Sequence, residues 1–537
     1  MMCVGSAGTL WGVLSRKIPL PSKPIDVVII CCFFLFIISG INLGGAVVVY
    51  PIGLLLLCFL TRYMVTVCHY KYLSGSVIVF SLGLALYGIL QCAGIILSSN
   101  TKFAIVGSFD NPAGFAAALA CALPLCFLFF ARQTKYLRFT AIVVAIIMAI
   151  AVFLSGSRAG MLSIVVATAG WFLAKTKVTP KLKIALVAAL IALPVILYFV
   201  KKDSADGRLL IWRCTLDMIA DSPVIGQGQG AFQAKYMLYQ AAYFEANPDS
   251  KYAQLADNTL YPFNEYLQLL TEHGFIGFGV VVLLGFLLVR LYRRNRSNEK
   301  LSALMSLLAL AVFSFFSYPL RYPFTWVILL LNVAVICYTS NVSNFSSFFS
   351  KRKSLIIRNI PQAFVLLLSA GLLVCSVMLT RAEIKWKKVA HMSLAGKIKE
   401  VLPQYDELYP WFGNNGFFLY NHAAELHNAK EHQRSIAVFG YCTHYFNDMD
   451  VQMLMADNYK KLGKYTEAEQ HLRTAAAMCP ARFRPLYELV KLYEATDRKD
   501  EAISLANIIE NKEVKVFSSE IAAIKSEMRR LIDNSMD

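Results

Sequence analysis

The feature that most constrains this chain is a series of long apolar runs that repeats through its first 380 residues. A helix needs about 20 mainly apolar residues to cross a bilayer, and backbone groups in lipid must be hydrogen-bonded within such a helix. The sequence therefore predicts an all-α polytopic membrane bundle of about eleven spans. They lie near residues 25–41, 45–60, 74–97, 112–131, 137–155, 159–174, 182–200, 274–292, 301–317, 322–339 and 360–380.

Composition agrees with a membrane protein, since 57% of the residues are hydrophobic and the mean hydropathy is +0.53. The net charge of +18 is unevenly distributed. Residues 381–537 hold 22 Lys/Arg and 22 Asp/Glu, so the whole excess lies in residues 1–380. Basic residues between spans set membrane orientation. The charge therefore does not indicate a nucleic-acid partner.

The basic residues of the short loops also predict the orientation of the chain. Twenty-one Lys/Arg fall in alternate loops, whereas the opposite short loops hold only Lys102, Arg158 and Arg321. Because basic loops stay in the cytoplasm, residues 1–24 are expected there. The membrane domain is expected at 25–380, with its long loop 201–272 and the tail 381–537 outside the cytoplasm. In a Gram-negative cell this is an inner-membrane protein with a periplasmic loop and tail.

Two stretches on the expected outer side contain candidate anion-binding arginines. "LSGSRAGMLS" places Arg158 at a corner near the bilayer surface, where it either snorkels to membrane lipid phosphate or binds a lipid-borne phosphate. "DGRLLIWRCTLDMIADSPVIGQGQGAF" predicts an amphipathic helix that starts at Asp206 or Gly207, carries Arg208 and ends at "DSP". "GQGQG" is expected to be a backbone turn, because no strand precedes it and no GK[ST] follows.

The tail contains a repeat of 33–34 residues over positions 415–513. In the central unit, Tyr459, Ala468, Leu472, Ala475 and Pro480 have the spacing of a tetratricopeptide helix pair. Two more degenerate units flank it. Such pairs stack into an α-solenoid with a concave surface, which is expected either to dock a protein partner or to act as a structural cap. No His/Cys cluster in the chain has metal-ligand spacing.

The last polar stretch before the eighth apolar run is "YPFNEYLQLLTEHGFIGF", which concentrates polar and ionisable groups at a membrane entry. Asn264 and Gln268 are four residues apart on one helical face, where they bind sugar hydroxyls or each other. Glu265 and His273 are eight residues apart, so their faces differ by about 80°. Arg321, also on the expected outer side, is a further candidate for phosphate binding on physical grounds.

The order of these features resembles the O-antigen ligase/polymerase superfamily of bacterial membrane glycosyltransferases over roughly residues 25–340. With its repeat tail, the chain looks like the variant common in Bacteroidetes. The resemblance implies a GT-C-like fold and transfer of a glycan from an undecaprenyl-diphosphate carrier at the periplasmic face. The acceptor is lipid A–core in ligases, a growing glycan in polymerases and a protein in O-oligosaccharyltransferases. The resemblance implies no cofactor and no metal.

Site residues follow from the same resemblance. Arg158 and Arg208 match the arginines expected to hold the diphosphate, which suits guanidinium chemistry. The family pattern has a histidine base immediately before the Asn of "HNxYL", but this chain has Phe263 there. Glu265 and His273 are the two candidate replacements. The alternatives are that Glu265 only caps a helix or pairs with an arginine, that His273 only precedes the Gly274 turn, and that the arginines do most of the catalysis without a base.

The resemblance favours a ligase-type enzyme but leaves a polymerase open. A membrane scaffold for glycan assembly is the non-enzymatic alternative, since Phe263 cannot accept a proton. A transporter is disfavoured, because the expected spans lack the buried acidic residues that relay ions.

Overall fold

The computed structural model describes residues 24–40, 45–130, 134–176, 202–338 and 355–536, with scattered residues between 179 and 199. These residues form helices and turns, and no β-strand occurs among them. The α-helices before residue 339 are α1 Pro24–Gly40, α2 Gly45–Val67, α3 Tyr70–Cys92, α4 Pro112–Ala122, α5 Phe127–Phe130, α6 Lys135–Leu154, α7 Arg158–Lys175, α8 Lys202–Asp221, α9 Ala231–Ala246, α10 Glu265–Arg294, α11 Asn298–Phe316 and α12 Pro323–Cys337.

Six segments in the described part of the chain are long and apolar enough to cross a membrane. They are Tyr50–Val67, Tyr70–Cys92, Pro112–Phe130, Lys135–Leu154, Glu265–Arg294 and Asn298–Phe316. The expected all-helical, multi-span architecture is confirmed by these segments. The count of eleven stays a prediction, since α12 is shorter than a span and the run 182–200 lies mostly outside the described residues.

The centre of the bundle is α4, an alanine-rich helix whose residues 115–122 are fully buried. Small side chains let neighbouring helices approach closely, which drives helix packing in membranes. Pro124 then turns the chain into a short 3₁₀ segment. Two serines of α11 donate hydrogen bonds to carbonyls at this transition, Ser306 to Cys121 at 2.5 Å and Ser302 to Pro124 at 2.7 Å. A neighbouring helix therefore supplies hydrogen bonds to the carbonyls at this break.

The tail begins within α13, a continuous helix of 40 residues, Leu355–Leu394. Its residues Ala382 and Val389 are buried in the tail's first apolar cluster. The helix therefore joins the last apolar run to the tail without a loop. The helices that follow are α14 Ile398–Phe412, α15 Gly416–Asn428, α16 His432–Cys442, α17 Met449–Lys461, α18 Tyr465–Met478, α19 Arg484–Ala495, α20 Lys499–Asn511 and α21 Ser519–Met536.

Consecutive tail helices pack in pairs, and the strongest pairing is that of α17 with α18. The expected small and apolar positions of this unit, Ala468, Leu472 and Ala475, are buried. The assignment of the pairs to the tetratricopeptide class stays a prediction from the sequence. The tail also packs against α9, because Met478 and Cys479 share an apolar cluster with Phe232, Tyr236 and other residues of the long loop.

Candidate active site

Three segments expected on the outer side of the membrane meet at one end of the bundle. The guanidinium Nη2 of Arg158, at the start of α7, donates to the Ser204 hydroxyl at 3.1 Å. Glu265 accepts a hydrogen bond of 2.9 Å from the Leu320 amide, which joins the loop's end to the turn before α12. These contacts place the candidate residues of the long loop beside the starts of α7 and α12.

Arg158 and Arg208 line one cavity between α7 and α8. Gly156, with φ 68°, makes the turn that precedes α7, and Ser157 caps the helix by accepting from the Gly160 amide. Arg208 projects from α8 into the same space. No carboxylate occurs among the described residues that line it, which are Arg158, Ala159, Leu162, Tyr198, Ala205, Arg208, Leu209, Trp212 and Phe316.

This cavity is electrostatically suited to an anion. Burial, followed by the positive charge of Arg158, lowers the pKa of Arg208 to about 10. Arg208 is still protonated at neutral pH, so two cationic groups share a mostly apolar space. An anionic ligand between them would relieve both the repulsion and the loss of hydration. Guanidinium groups bind phosphate oxygens through paired N–H donors.

Phe263, which stands where the resemblance expects a histidine, forms one side of the Arg208 environment. The Arg208 guanidinium lies 5.3 Å from the centre of the Phe263 ring, an attractive cation–π distance. The ring also meets Tyr318 edge-on, with centroids 5.3 Å apart. Phe263 has φ 53°, the left-handed region that bulky residues rarely adopt. A strained backbone thus holds an apolar ring against the arginine.

The side chains of Asn264 and Gln268 have separate hydrogen-bond partners. The side-chain oxygen of Asn264 caps α10 by accepting from the amides of Tyr266 at 2.9 Å and Leu267 at 3.1 Å. Gln268 donates to the Glu272 carboxylate at 3.3 Å. Both side chains therefore have local structural contacts, and their sugar-binding role stays a prediction.

The two candidate bases occupy different environments. Glu265, at the first turn of α10, is half-buried beside the 3₁₀ turn Pro319–Arg321. His273 is 6% exposed, and its Nε2 lies 4.0 Å from a carboxylate oxygen of Glu272. Its Cβ fills the space that a side chain at Gly277 would need. Neither Glu265 nor His273 is among the residues that line the Arg158–Arg208 cavity.

Arg321 lies apart from the other two arginines. Its guanidinium stacks 4.5 Å from the centre of the Tyr261 ring, and the residue is exposed. It does not line the cavity that Arg158 and Arg208 share. The structure therefore brings two of the three predicted phosphate ligands together and places the third on an aromatic surface beside Glu265.

The "GQGQG" turn docks onto a break in α10. The break is at Gly274, with φ 59° and ψ −165°. The amides of Phe275 and Ile276, just after the break, donate to the carbonyls of Pro223 at 2.8 Å and Val224 at 3.1 Å. A side chain at Gly274 would come within 2.3 Å of the Val224 carbonyl oxygen. Within the turn itself, the Gln227 and Gly228 amides donate to the carbonyls of Thr271 and Glu272, so the expected backbone turn is also a structural partner of the membrane helix.

Glu272 is a residue of this region that sequence reasoning left without a role. It is buried, and its carboxylate accepts hydrogen bonds from the Gly230 amide at 3.1 Å and from Gln268. It thereby joins the start of α9 to α10. The spacing of four residues predicts the contact between Gln268 and Glu272 on one helical face. The contact with Gly230 joins positions 42 residues apart, so no local pattern predicts it.

An aromatic cluster beside the cavity was also missed. Tyr318 lies 4.9 Å from Tyr261 and 6.2 Å from Tyr322, measured between ring centres. Asn111, which caps α4, donates to the Tyr318 hydroxyl at 3.2 Å and accepts from the Tyr322 hydroxyl at 3.0 Å. The cluster joins the start of α4 to the turn before α12. No group of three or more metal-ligating side chains occurs among the described residues.

Comparison with known proteins adds a family to this geometry. Residues 143–282 match the model of a protein family described as O-antigen ligase. This confirms the resemblance in the segment that contains Arg158, Arg208 and the start of α10. Arg321 and the tail lie outside the match. A search among curated proteins found no match.

Proposed function

We propose, from the O-antigen ligase family domain that residues 143–282 form, that this membrane protein transfers a glycan from undecaprenyl diphosphate to an acceptor hydroxyl. The observation that carries the proposal is the single cavity shared by Arg158 and Arg208. The proposed location is the periplasmic face of the inner membrane. The proposed acceptor is lipid A–core, as in a ligase.

The arginine pair supplies the charge that such a transfer needs. Breaking the bond between sugar and diphosphate leaves negative charge on the departing diphosphate. Fixed cationic donors in a partly dry cavity stabilise that charge in the transition state. The guanidinium also stays protonated when desolvated, whereas a lysine would lose its proton more readily. Arg158 and Arg208 therefore act as diphosphate ligands in the proposed reaction.

Of the two candidate bases, Glu265 has the more suitable position. It is at the start of α10 and accepts from the amide of Leu320, the residue before Arg321, whereas His273 is buried next to the helix break. A base must come within hydrogen-bond reach of the acceptor hydroxyl. The half-buried Glu265 carboxylate meets this requirement better. We assign it the proton-accepting role.

The test is transfer by the purified protein from an undecaprenyl-diphosphate-linked glycan to lipid A–core. Arg158→Ala and Arg208→Ala are each expected to lower the rate by about 100-fold or more, as when a transition-state charge donor is removed. Arg213→Ala is the matched control, because Arg213 is exposed on α8 and does not line the cavity. Full transfer by both cavity variants would contradict the proposal.

A polymerase of the same superfamily is the second candidate, because the matched family domain does not identify the acceptor. Glycan chain lengths in a deletion strain separate the two. Carrier-linked polymer accumulates when a ligase is lost, whereas single repeats remain attached when a polymerase is lost. A protein acceptor in the purified reaction would indicate an O-oligosaccharyltransferase, and no transfer to any acceptor class would indicate a scaffold.

A further inference from the structure

Residues 257–264, here called the bridging segment, run from the tail to the Arg158–Arg208 cavity. At its first end, Nη2 of Arg482 lies 2.9 Å from both carboxylate oxygens of Asp257. Asn258 donates to the Asp450 carboxylate at 3.1 Å and accepts from the Met449 amide at 3.2 Å. The tail therefore holds two consecutive residues of the bridging segment through their side chains.

The other end of the bridging segment lies at the cavity. The Trp212 indole, which lines the cavity, donates to the Pro262 carbonyl at 2.9 Å. Phe263 stacks against Arg208, and Asn264 caps α10. Between the two ends, Leu260 packs against the tail's first apolar cluster. The segment thus contacts the tail at Asp257, Asn258 and Leu260, and residues of the cavity at Pro262 and Phe263.

Because the bridging segment is short, the position of its tail end restricts the position of its cavity end. Five residues of chain reach at most about 18 Å, and Leu260 and Pro262 are themselves fixed within that length. The left-handed φ of Phe263 persists only if its surroundings hold it there. Only four residues separate the tail contact at Asn258 from Phe263, so a displacement at Asn258 would act on the Phe263 ring over a short stretch of chain.

We infer that Asp257 and Asn258 are positioning residues, through which the tail holds Phe263 and the Arg208 guanidinium in the geometry that binds the diphosphate. The inference rests on the proposed function, since it assigns these residues to the same phosphate site. It also gives the tail a role in donor binding. A simple tether between tail and loop would leave the affinity for diphosphate unchanged.

The experiment measures binding of undecaprenyl diphosphate to the full-length protein in lipid nanodiscs, followed by Trp fluorescence. Arg482→Asp places a negative charge opposite Asp257 and is expected to weaken binding about tenfold, equivalent to about 1.4 kcal/mol. Adding Asp257→Arg to this variant restores an attractive pair and most of the affinity. Asn258→Ala, a smaller change, is expected to weaken binding in the same direction.

The matched control is Arg529→Asp, which places a negative charge opposite Glu510 in an ion pair at the far end of the tail. It is expected to bind undecaprenyl diphosphate like the wild type. Hydrogen–deuterium exchange of the peptide 257–264 provides a second measurement. Exchange should rise in Arg482→Asp, fall again in the charge-swapped protein and stay unchanged in Arg529→Asp.

Two failures of this experiment have different meanings. If Arg208→Ala binds undecaprenyl diphosphate like the wild type, the phosphate site itself is wrong and the proposed function fails. If Arg208→Ala loses binding but Arg482→Asp keeps it while exchange of the bridging segment rises, only the positioning role fails. Lack of recovery in the charge-swapped protein also overturns the positioning role.

Discussion

At the scale of single residues, the environment of Arg208 explains how this chain can depart from the family pattern at Phe263. A histidine there would place a titratable ring against a guanidinium in a partly dry site, where a second positive charge is unfavourable. The Phe263 ring instead offers its face to the cation at 5.3 Å. The position therefore contributes to holding the arginine.

The residue that replaces the family base can be identified by two substitutions. Glu265→Gln keeps an oxygen that accepts the Leu320 amide hydrogen bond but cannot take a proton, so kcat for glycan transfer should fall by about 10²–10⁴-fold. His273→Gln should leave kcat close to the wild-type value, because His273 is buried beside the break in α10. The reverse pattern would assign the base to His273 instead.

The sequence indicates candidate site residues one by one but does not predict which of them lie together. Arg158 and Arg208, which match the arginines of the family pattern, line one cavity, and their role stays a prediction. Arg321 was grouped with them on its expected side of the membrane alone. Its stacking on Tyr261 joins positions 60 residues apart, and no local pattern reports such a contact.

At the scale of elements, the break in α10 at Gly274 is the place where a loop hydrogen-bonds to a membrane helix. The turn at 223–228 supplies carbonyls to the amides after the break, and the Gln227 and Gly228 amides bind the carbonyls of Thr271 and Glu272. In lipid-facing surroundings, backbone groups that a break releases need such partners. The loop therefore completes the hydrogen bonding of the helix.

Gly274→Ala tests this contact between the loop and the break in α10. The new Cβ would approach the Val224 carbonyl oxygen to 2.3 Å in a backbone with φ 59°, so the variant should lose at least about 2 kcal/mol of stability. Gly279→Ala on the same helix is the control, since nothing lies within 4 Å of its Cβ position. Thermal unfolding in detergent should show a large fall for the first variant and little change for the second.

The bounds of α8 show which helix ends the sequence predicts and which it does not. "DSP" correctly predicts the end of α8 at Asp221, because proline restricts the residue before it. The start was expected at Asp206 or Gly207, but α8 begins at Lys202 and has Asp203 in its first turn, where an acid is favourable. The loop helix α9 was not predicted, since its buried face packs against the distant tail residues Met478 and Cys479.

At the scale of the whole molecule, the structure gathers the starts of α4, α7 and α12 and the long loop at one end. Lys175 and Asn298, which form a hydrogen bond, are both in parts of the chain expected at the cytoplasmic side. The parts expected outside the cytoplasm thus lie together, and so do two parts expected inside it. This grouping agrees with the side that the basic residues predict for each loop. The orientation in a membrane and the periplasmic position of the tail stay predictions.

Cysteine labelling in intact cells tests that orientation. In a background with the exposed Cys31, Cys92 and Cys375 replaced by Ser, Lys251→Cys in the loop and Lys499→Cys in the tail should react with a membrane-impermeant maleimide added to spheroplasts. Arg294→Cys, at the end of α10, should react only after permeabilisation. All three positions are exposed. Labelling of Arg294→Cys in intact spheroplasts would reverse the predicted topology.

The uninterrupted α13 also determines what the tail can reach. A helix of 40 residues is about 60 Å long, roughly twice the thickness of the hydrocarbon layer. Its far half is packed into the tail, so no flexible linker separates the tail from the last apolar run. Any molecule bound to the tail would be presented at a constant radius from the cavity. If the tail binds the acceptor in the proposed reaction, acceptors whose length matches the distance between tail and cavity would be favoured.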